Sequence, residues 1–298
     1  MNNKEVLILW DCSHIWGILA LRGFRTLGFN CRLVKSKDIS HGDALGKASG
    51  LLVVPGGSAR LKANALGRPG LRAINKWVRA GGCYLGFCGG CGLALTSENS
   101  SSLNLCPWTR GSYSKRIYHL ISGNVGAIFQ DGKKATLPVW WPGRFAPTRD
   151  TEVEIIARYA SPTEDLWLAD APYRDVAGYD FADDKFLARS GFPAGDPLII
   201  KGKSGDGDYV LSYSHLETPD SPDANLSLLE LLGMTGKRVI PEWRPLSEDY
   251  PDKNTRTAAG ELIARTLASV RELIKTGEEG GIFYKRRPWL AGWRDGVP

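Results

Sequence analysis

Residues 82–92, Gly-Cys-Tyr-Leu-Gly-Phe-Cys-Gly-Gly-Cys-Gly, leave this chain little architectural choice. Within them Gly86-Phe87-Cys88-Gly89-Gly90 has the spacing of a nucleophile elbow with cysteine as the nucleophile. Such a turn joins a buried strand directly to a helix, and its glycines are needed because a β-carbon would strike the neighbouring strand or helix. Gly82–Leu85 supplies a short apolar run for the strand, and Leu93–Leu95 suits the helix that follows. Cys88 would then sit at a helix N-terminus, where unpaired N–H groups and the helix dipole favour thiolate over thiol.

An elbow belongs to a parallel sheet, and the first half of the chain alternates accordingly. Val6–Trp10 reads as a first strand, with Ser13 as the cap of a helix from Ile15 to Leu27 that stops at Gly28. Asn30–Val34 and Gly50–Val54 are the next strands, the latter ending in Pro55-Gly56-Gly57; Leu71–Arg79 is helical. From about Gly123 the runs shorten and suit antiparallel strands: Ala127–Phe129, Thr136–Trp141, Val153–Tyr159 and Leu198–Ile200. Asp208–Ser214 returns as a strand, and Ala224–Leu232 as a helix. Ile240–Asp252 reads as a linker, Thr257–Thr276 as an amphipathic helix, and Phe283–Trp293 as a basic-aromatic tail. The expected fold is α/β, a mainly parallel sheet with antiparallel additions and a C-terminal helical extension. One domain is expected over residues 1–236 and the extension over 237–298.

Composition narrows the partners. A net charge of +6 spread over 298 residues, without a basic stripe, argues against nucleic acid. Six cysteines are too few for a disulfide scaffold in a chain of this length, and no apolar run approaches a membrane span. Glu5, Asp11 and Arg22 interrupt any signal-peptide core, so a cytoplasmic, reducing location is expected.

The chain has four histidines, which shortens the search for a base. His215 follows the strand run Tyr209–Ser214 and so belongs to the carboxyl edge of the sheet, where an elbow also opens. Glu217 is placed to accept from its far ring nitrogen, completing a Cys88–His215–Glu217 triad. Oxyanion donors are expected from the N–H groups of Gly89 and Gly57. His14 is a candidate for the pocket mouth. Cys88 and Cys91 also form a C-x-x-C, a candidate redox or regulatory disulfide pair. With Cys83 and Cys106 they approximate an iron–sulfur spacing, which the place of Cys83 in the elbow strand argues against.

Four segments in order carry a resemblance: Leu52–Gly57, Gly81–Leu95, Val139–Phe145 and Tyr209–Glu217. The chain resembles the class I glutamine amidotransferase-like superfamily, and within it the N-terminal domain of biotin–protein ligases. The resemblance implies a flavodoxin-like three-layer sandwich, the Cys88–His215–Glu217 triad, and Trp140–Phe145 near the pocket. Gly56, Trp140, Trp141, Arg144 and His14 are the expected substrate contacts. The chain departs from glutaminases in having Gly89-Gly90-Cys91 where a Gln usually follows the cysteine, and Leu216 where Pro is favoured. The expected function is a cysteine-dependent hydrolase or amidotransferase-like activity on an amide or acyl group of a small molecule, with no metal or organic cofactor. The alternative is a ligand-binding module that keeps the fold without turnover. Self-association through the C-terminal helix is the expected oligomeric contact.

Overall fold

A computed structural model describes residues 5–42, 44–46, 49–97, 101–113, 119–148, 152–169, 171–176, 192–234, 238–241 and 258–279. Most of the expected linker, and the tail from Phe283 to Trp293, lie outside them. The chain divides into two compact units, Met1–Ile240 and Pro241–Pro298.

The first unit begins with β1 (Glu5–Leu9), α1 (His14–Thr26), β2 (Cys31–Val34), α2 (Ser36–His41), β3 (Ser49–Val54), α3 (Ala59–Arg79), β4 (Cys83–Phe87) and α4 (Gly89–Ala94). Nine strands follow: β5 (Thr109–Gly111), β6 (Ile121–Phe129), β7 (Lys134–Trp140), β8 (Arg144–Ala146), β9 (Val153–Pro162), β10 (Trp167–Leu168), β11 (Ala171–Pro172), β12 (Pro197–Ser204) and β13 (Gly207–Ser212). A short α5 (Tyr173–Val176) lies among them and α6 (Pro222–Leu231) after them. The second unit contains α7 (Ala258–Glu279).

Eleven strands form one sheet in the order β11-β10-β6-β9-β12-β13-β4-β3-β1-β2, with β7 on β6; β5 and β8 pair separately. The block β13-β4-β3-β1-β2 is parallel, and every pairing from β12 outward is antiparallel. The parallel order is that of a flavodoxin-like doubly wound sheet, whose helices cover both faces. The strand sequences show it: Leu7, Ile8 and Leu9 of β1 and Leu52, Val53 and Val54 of β3 are all wholly buried. Because these strands are parallel, the segments following β1, β3, β4 and β13 leave the sheet at one edge. That edge carries the site.

Some local expectations are corrected. The helix expected at Leu71–Arg79 is the second half of α3, which starts at Ala59 with Ser58 accepting from the Leu61 N–H and kinks at Gly67. Ser13 occupies the N-cap position of α1 but does not cap it; its hydroxyl donates back to the Leu9 carbonyl at 2.8 Å. Ile240, expected at the start of the linker, is wholly buried in the first unit and hydrogen-bonds through its N–H to Asn225 Oδ1 at 2.8 Å. Among the described residues no helix is long and apolar enough to cross a membrane.

Candidate active site

The elbow forms as its glycines require. Cys88 has φ 46° and ψ −101°, a conformation few side-chain-bearing residues adopt, between β4 and α4. Its N–H donates to the Ser212 carbonyl of β13 at 2.9 Å, and its own carbonyl accepts from Cys91 and Gly92 to begin the helix. A β-carbon on Gly86 would lie 2.8 Å from the Gly90 carbonyl carbon. One on Gly89 would overlap the Gly57 carbonyl oxygen, and one on Gly90 the Val54 carbonyl oxygen. The crossing of backbone over backbone leaves Cys88 half-buried at the sheet edge.

His215 and Glu217 reach the same edge from β13. The chain leaving β13 turns toward β7: the His215 N–H donates to the Pro138 carbonyl at 2.9 Å, and Ser214 Oγ to that same oxygen at 2.8 Å. Thr218 Oγ1 donates to the His215 carbonyl at 2.6 Å. The amide of Asn225, wholly buried on α6, donates to the carbonyls of Leu216 and Thr218, each at 2.9 Å. So held, His215 Nδ1 stands 2.9 Å from Glu217 Oε1, and both side chains are fully buried.

Burial pulls the His215 pKa down, but the Glu217 carboxylate, hydrogen bonding from Cys88 and Glu217, and the Cys88 charge outweigh it and lift it to about 9. The Cys88–His215 contact is nonetheless loose. The thiol is directed at the Trp140 carbonyl, 3.7 Å from Sγ, and His215 Nε2 completes no hydrogen bond of good geometry.

Two residues of the site were not singled out from sequence. Trp16, in the first turn of α1, stacks on the His215 ring with centroids 3.8 Å apart and planes at 20°. A β-carbon on Gly56 would come within 2.7 Å of His215 Cε1 and 2.9 Å of Trp16 Cγ, so Gly56 closes the other side of this packing. The readable signal was an aromatic in the first turn of the helix that follows β1. Lys62, in α3, is wholly buried, with Nζ 2.8 Å from the Cys12 carbonyl and 2.7 Å from Ser13 Oγ. Its signal was a lysine four residues before Leu66, in the buried stripe that continues to Ile74 and Val78.

Trp140 is half-buried and stacks on Trp141 at 5.6 Å, while Trp141 is 42% exposed. Trp16 and Trp140 approach to 6.3 Å, so one aromatic row runs from His215 to the surface. Gly57 takes φ 104° against the Cys12 carbonyl, and its backbone abuts Gly89. Arg144 is tied down: Nε donates to Asp196 Oδ2 at 2.7 Å and Nη1 to the Ser112 carbonyl at 3.1 Å. His14 is exposed in the first turn of α1 with φ 50°. Cys91, the partner expected for a C-x-x-C, is wholly buried with its thiol donating to the Gly86 carbonyl at 3.1 Å, and burial raises its pKa strongly. Cys83 is half-buried in β4, and Cys106 is buried. Among the described residues no three His, Cys, Asp or Glu converge on a metal position.

Residues 18–97 match the family model described as biotin-protein ligase, N terminal. None of the curated proteins compared with the chain matches it by sequence. A chain in the structure of PurLQS from Thermotoga maritima is 14% identical, with a TM-score of 0.51, covering 77% of this chain and 99% of that one. A protein described as glutamine amidotransferase is 17% identical with a TM-score of 0.48, covering 77% of this chain and 99% of its own. In fold, therefore, the chain is α/β and flavodoxin-like, similar to that PurLQS chain, and over residues 18–97 it is similar to the N-terminal part of biotin-protein ligases.

Proposed function

We propose that the chain is a cysteine-dependent hydrolase or amidotransferase-like protein that cleaves an amide or related acyl bond of a small molecule. The observation that carries the reading is the 2.9 Å contact of His215 Nδ1 with Glu217 Oε1, two buried groups at the edge where a strained elbow presents a thiol. Glu217 fixes the tautomer that leaves Nε2 facing Cys88. His215 already holds the Cys88 proton on Nε2 when sulfur bonds to the carbonyl carbon, and the carbonyl π pair moves to oxygen. The N–H groups of Gly57 and Gly89 receive that oxyanion. Collapse breaks the C–N bond, the departing amine leaves with the proton from Nε2, and a thioester remains. Water then attacks it, giving a proton to Nε2, and the carboxylic acid leaves as the thiol re-forms.

Trp140 and Trp141 supply an apolar wall for the rest of the substrate, with Gly56, Arg144 and His14 at its margins. Gly89-Gly90-Cys91 and Leu216 argue against glutamine itself as the substrate. The same reading sets the protein in a reducing, cytoplasmic location, without nucleic acid, membrane, metal or organic cofactor. It also leaves the exposed Ile263, Leu267, Val270 and Leu273 of α7 for pairing with a second copy.

One observation favours a second reading, a ligand-binding module without turnover: the thiol points to the Trp140 carbonyl rather than closing on Nε2. Intact-mass spectrometry after exposure to a panel of amides and acyl electrophiles separates the two. A Cys88 acyl adduct, absent from Cys88→Ala, is the result expected of the hydrolase. Failure of every acyl donor to load Cys88, with retained binding of a small molecule at the aromatic wall, gives the second reading.

A further inference from the structure

Lys62 is a buried charged group at this edge that triad chemistry does not use. Its ammonium is wholly buried and has no carboxylate among its hydrogen-bond partners. It donates to the Cys12 carbonyl at 2.8 Å, to Ser13 Oγ at 2.7 Å and more distantly to the Asp11 carbonyl at 3.4 Å. Ser13 Oγ passes the chain on to the Leu9 carbonyl at the end of β1. The loop so gripped is strained: Cys12 has φ 58° and His14 φ 50°. It also feeds α1, whose Trp16 stacks on His215.

The ammonium lies close to the backbone of Gly57, one of the expected oxyanion donors, and Gly57 in turn abuts Gly89. A β-carbon placed on Gly57 would be 3.4 Å from Nζ, and one on Gly89 would be 3.3 Å from the Gly57 nitrogen. The titratable groups facing it are Asp11 and Cys12 from the β1–α1 loop and Cys88 from the elbow; the Pro55–Gly57 turn brings none. Burial pulls its pKa down to about 8, against the opposing pull of Cys12, Cys88 and Asp11, so it remains largely charged at neutral pH. An ammonium held in a low-dielectric wall, hydrogen-bonded to dipoles and with the Asp11 carboxylate facing it without a direct ion pair, acts on whatever negative charge forms beside it.

We propose that Lys62 is a positioning residue of the Cys88 site: its buried ammonium locks the strained 11–14 loop and supplies the positive charge that favours an anion on Cys88 sulfur and at the Gly57–Gly89 backbone. The inference rests on the reading of Cys88 as the reactive thiol, but not on turnover.

The test is the rate of Cys88 alkylation by iodoacetamide as a function of pH, in the full chain with Cys12→Ser and with the modified site located by mass spectrometry. Lys62→Met should slow alkylation about tenfold near pH 7 and move the rate profile about one unit to higher pH, whereas Lys62→Arg should stay within about threefold of the parent. An unchanged profile in Lys62→Met, or equal slowing in Lys62→Arg, overturns the proposal. Should Lys62→Met fail to fold, the reciprocal measurement serves. The Lys62 Nζ titration near pH 8, followed by NMR, should move down when Cys88 is capped with neutral iodoacetamide, and an unmoved titration overturns the proposal. Neither readout requires a substrate, so loss of the hydrolase reading and loss of this one are told apart.

Discussion

Burial alone would strip the proton from His215; Glu217 and Cys88 keep it there. Replacing Glu217 by Gln removes the larger of the two charges that oppose desolvation, so Glu217→Gln should bring the His215 midpoint down from about 9, read by NMR titration of the ring. The raised pKa also links folding to pH. The native state binds this proton more tightly than the unfolded chain, so the stabilisation is fully present below about pH 6.5 and is lost as pH rises through about 9. It is worth at most roughly 3 kcal/mol, and denaturant melts at about pH 6 and about pH 10 should differ in that direction, with Glu217→Gln flattening the difference. The elbow glycines make a steric prediction. Gly90→Ala puts a methyl into the Val54 carbonyl, a backbone atom that cannot swing away. It should cost about 3 kcal/mol or more, measured as a fall in denaturation midpoint.

At the level of elements, strands and elbow were legible because each is coded locally. Wholly apolar runs at Leu7–Leu9 and Leu52–Val54 mean burial on both faces, and glycines around Cys88 mean backbone packed on backbone. His215 and Glu217 were legible as a pair because they follow one strand end. Trp16 and Lys62 were not, because α1 and α3 are ordinary crossover helices whose roles depend on which loop they abut. Ser13 shows the same limit: its hydroxyl is drawn from helix capping into the Lys62–Leu9 chain by a partner 49 positions away. The β13–α6 connection depends on Asn225, whose amide joins Leu216, Thr218 and Ile240. Asn225→Ala leaves those buried groups unpaired and should destabilise the protein by about 2 kcal/mol or more, with loss of the His215–Glu217 ring geometry by NMR.

For the whole molecule the boundary of the first unit is decisive. Ile240 is wholly buried, its side chain is where a β-carbon on Gly23 would meet Cδ1 at 2.9 Å, and its carbonyl accepts from the Asp220 N–H at 2.8 Å. A chain ending after Pro241 should therefore keep the cooperative melt of the first unit, whereas one ending after Gly236 should lose roughly 3 kcal/mol or more. Thermal and urea melts of the two truncations check this.

The sequence by itself determined the parallel sheet, the strained cysteine turn and the sheet edge at which the histidine emerges, since apolar runs and glycine spacing act within a few residues of chain. Tertiary structure decided what surrounds them: the tryptophan against the imidazole, the ammonium beside Gly57, the asparagine clamp and the isoleucine that closes the unit. Those contacts join residues far apart in sequence, and only the folded sheet order brings them within hydrogen-bonding or stacking distance.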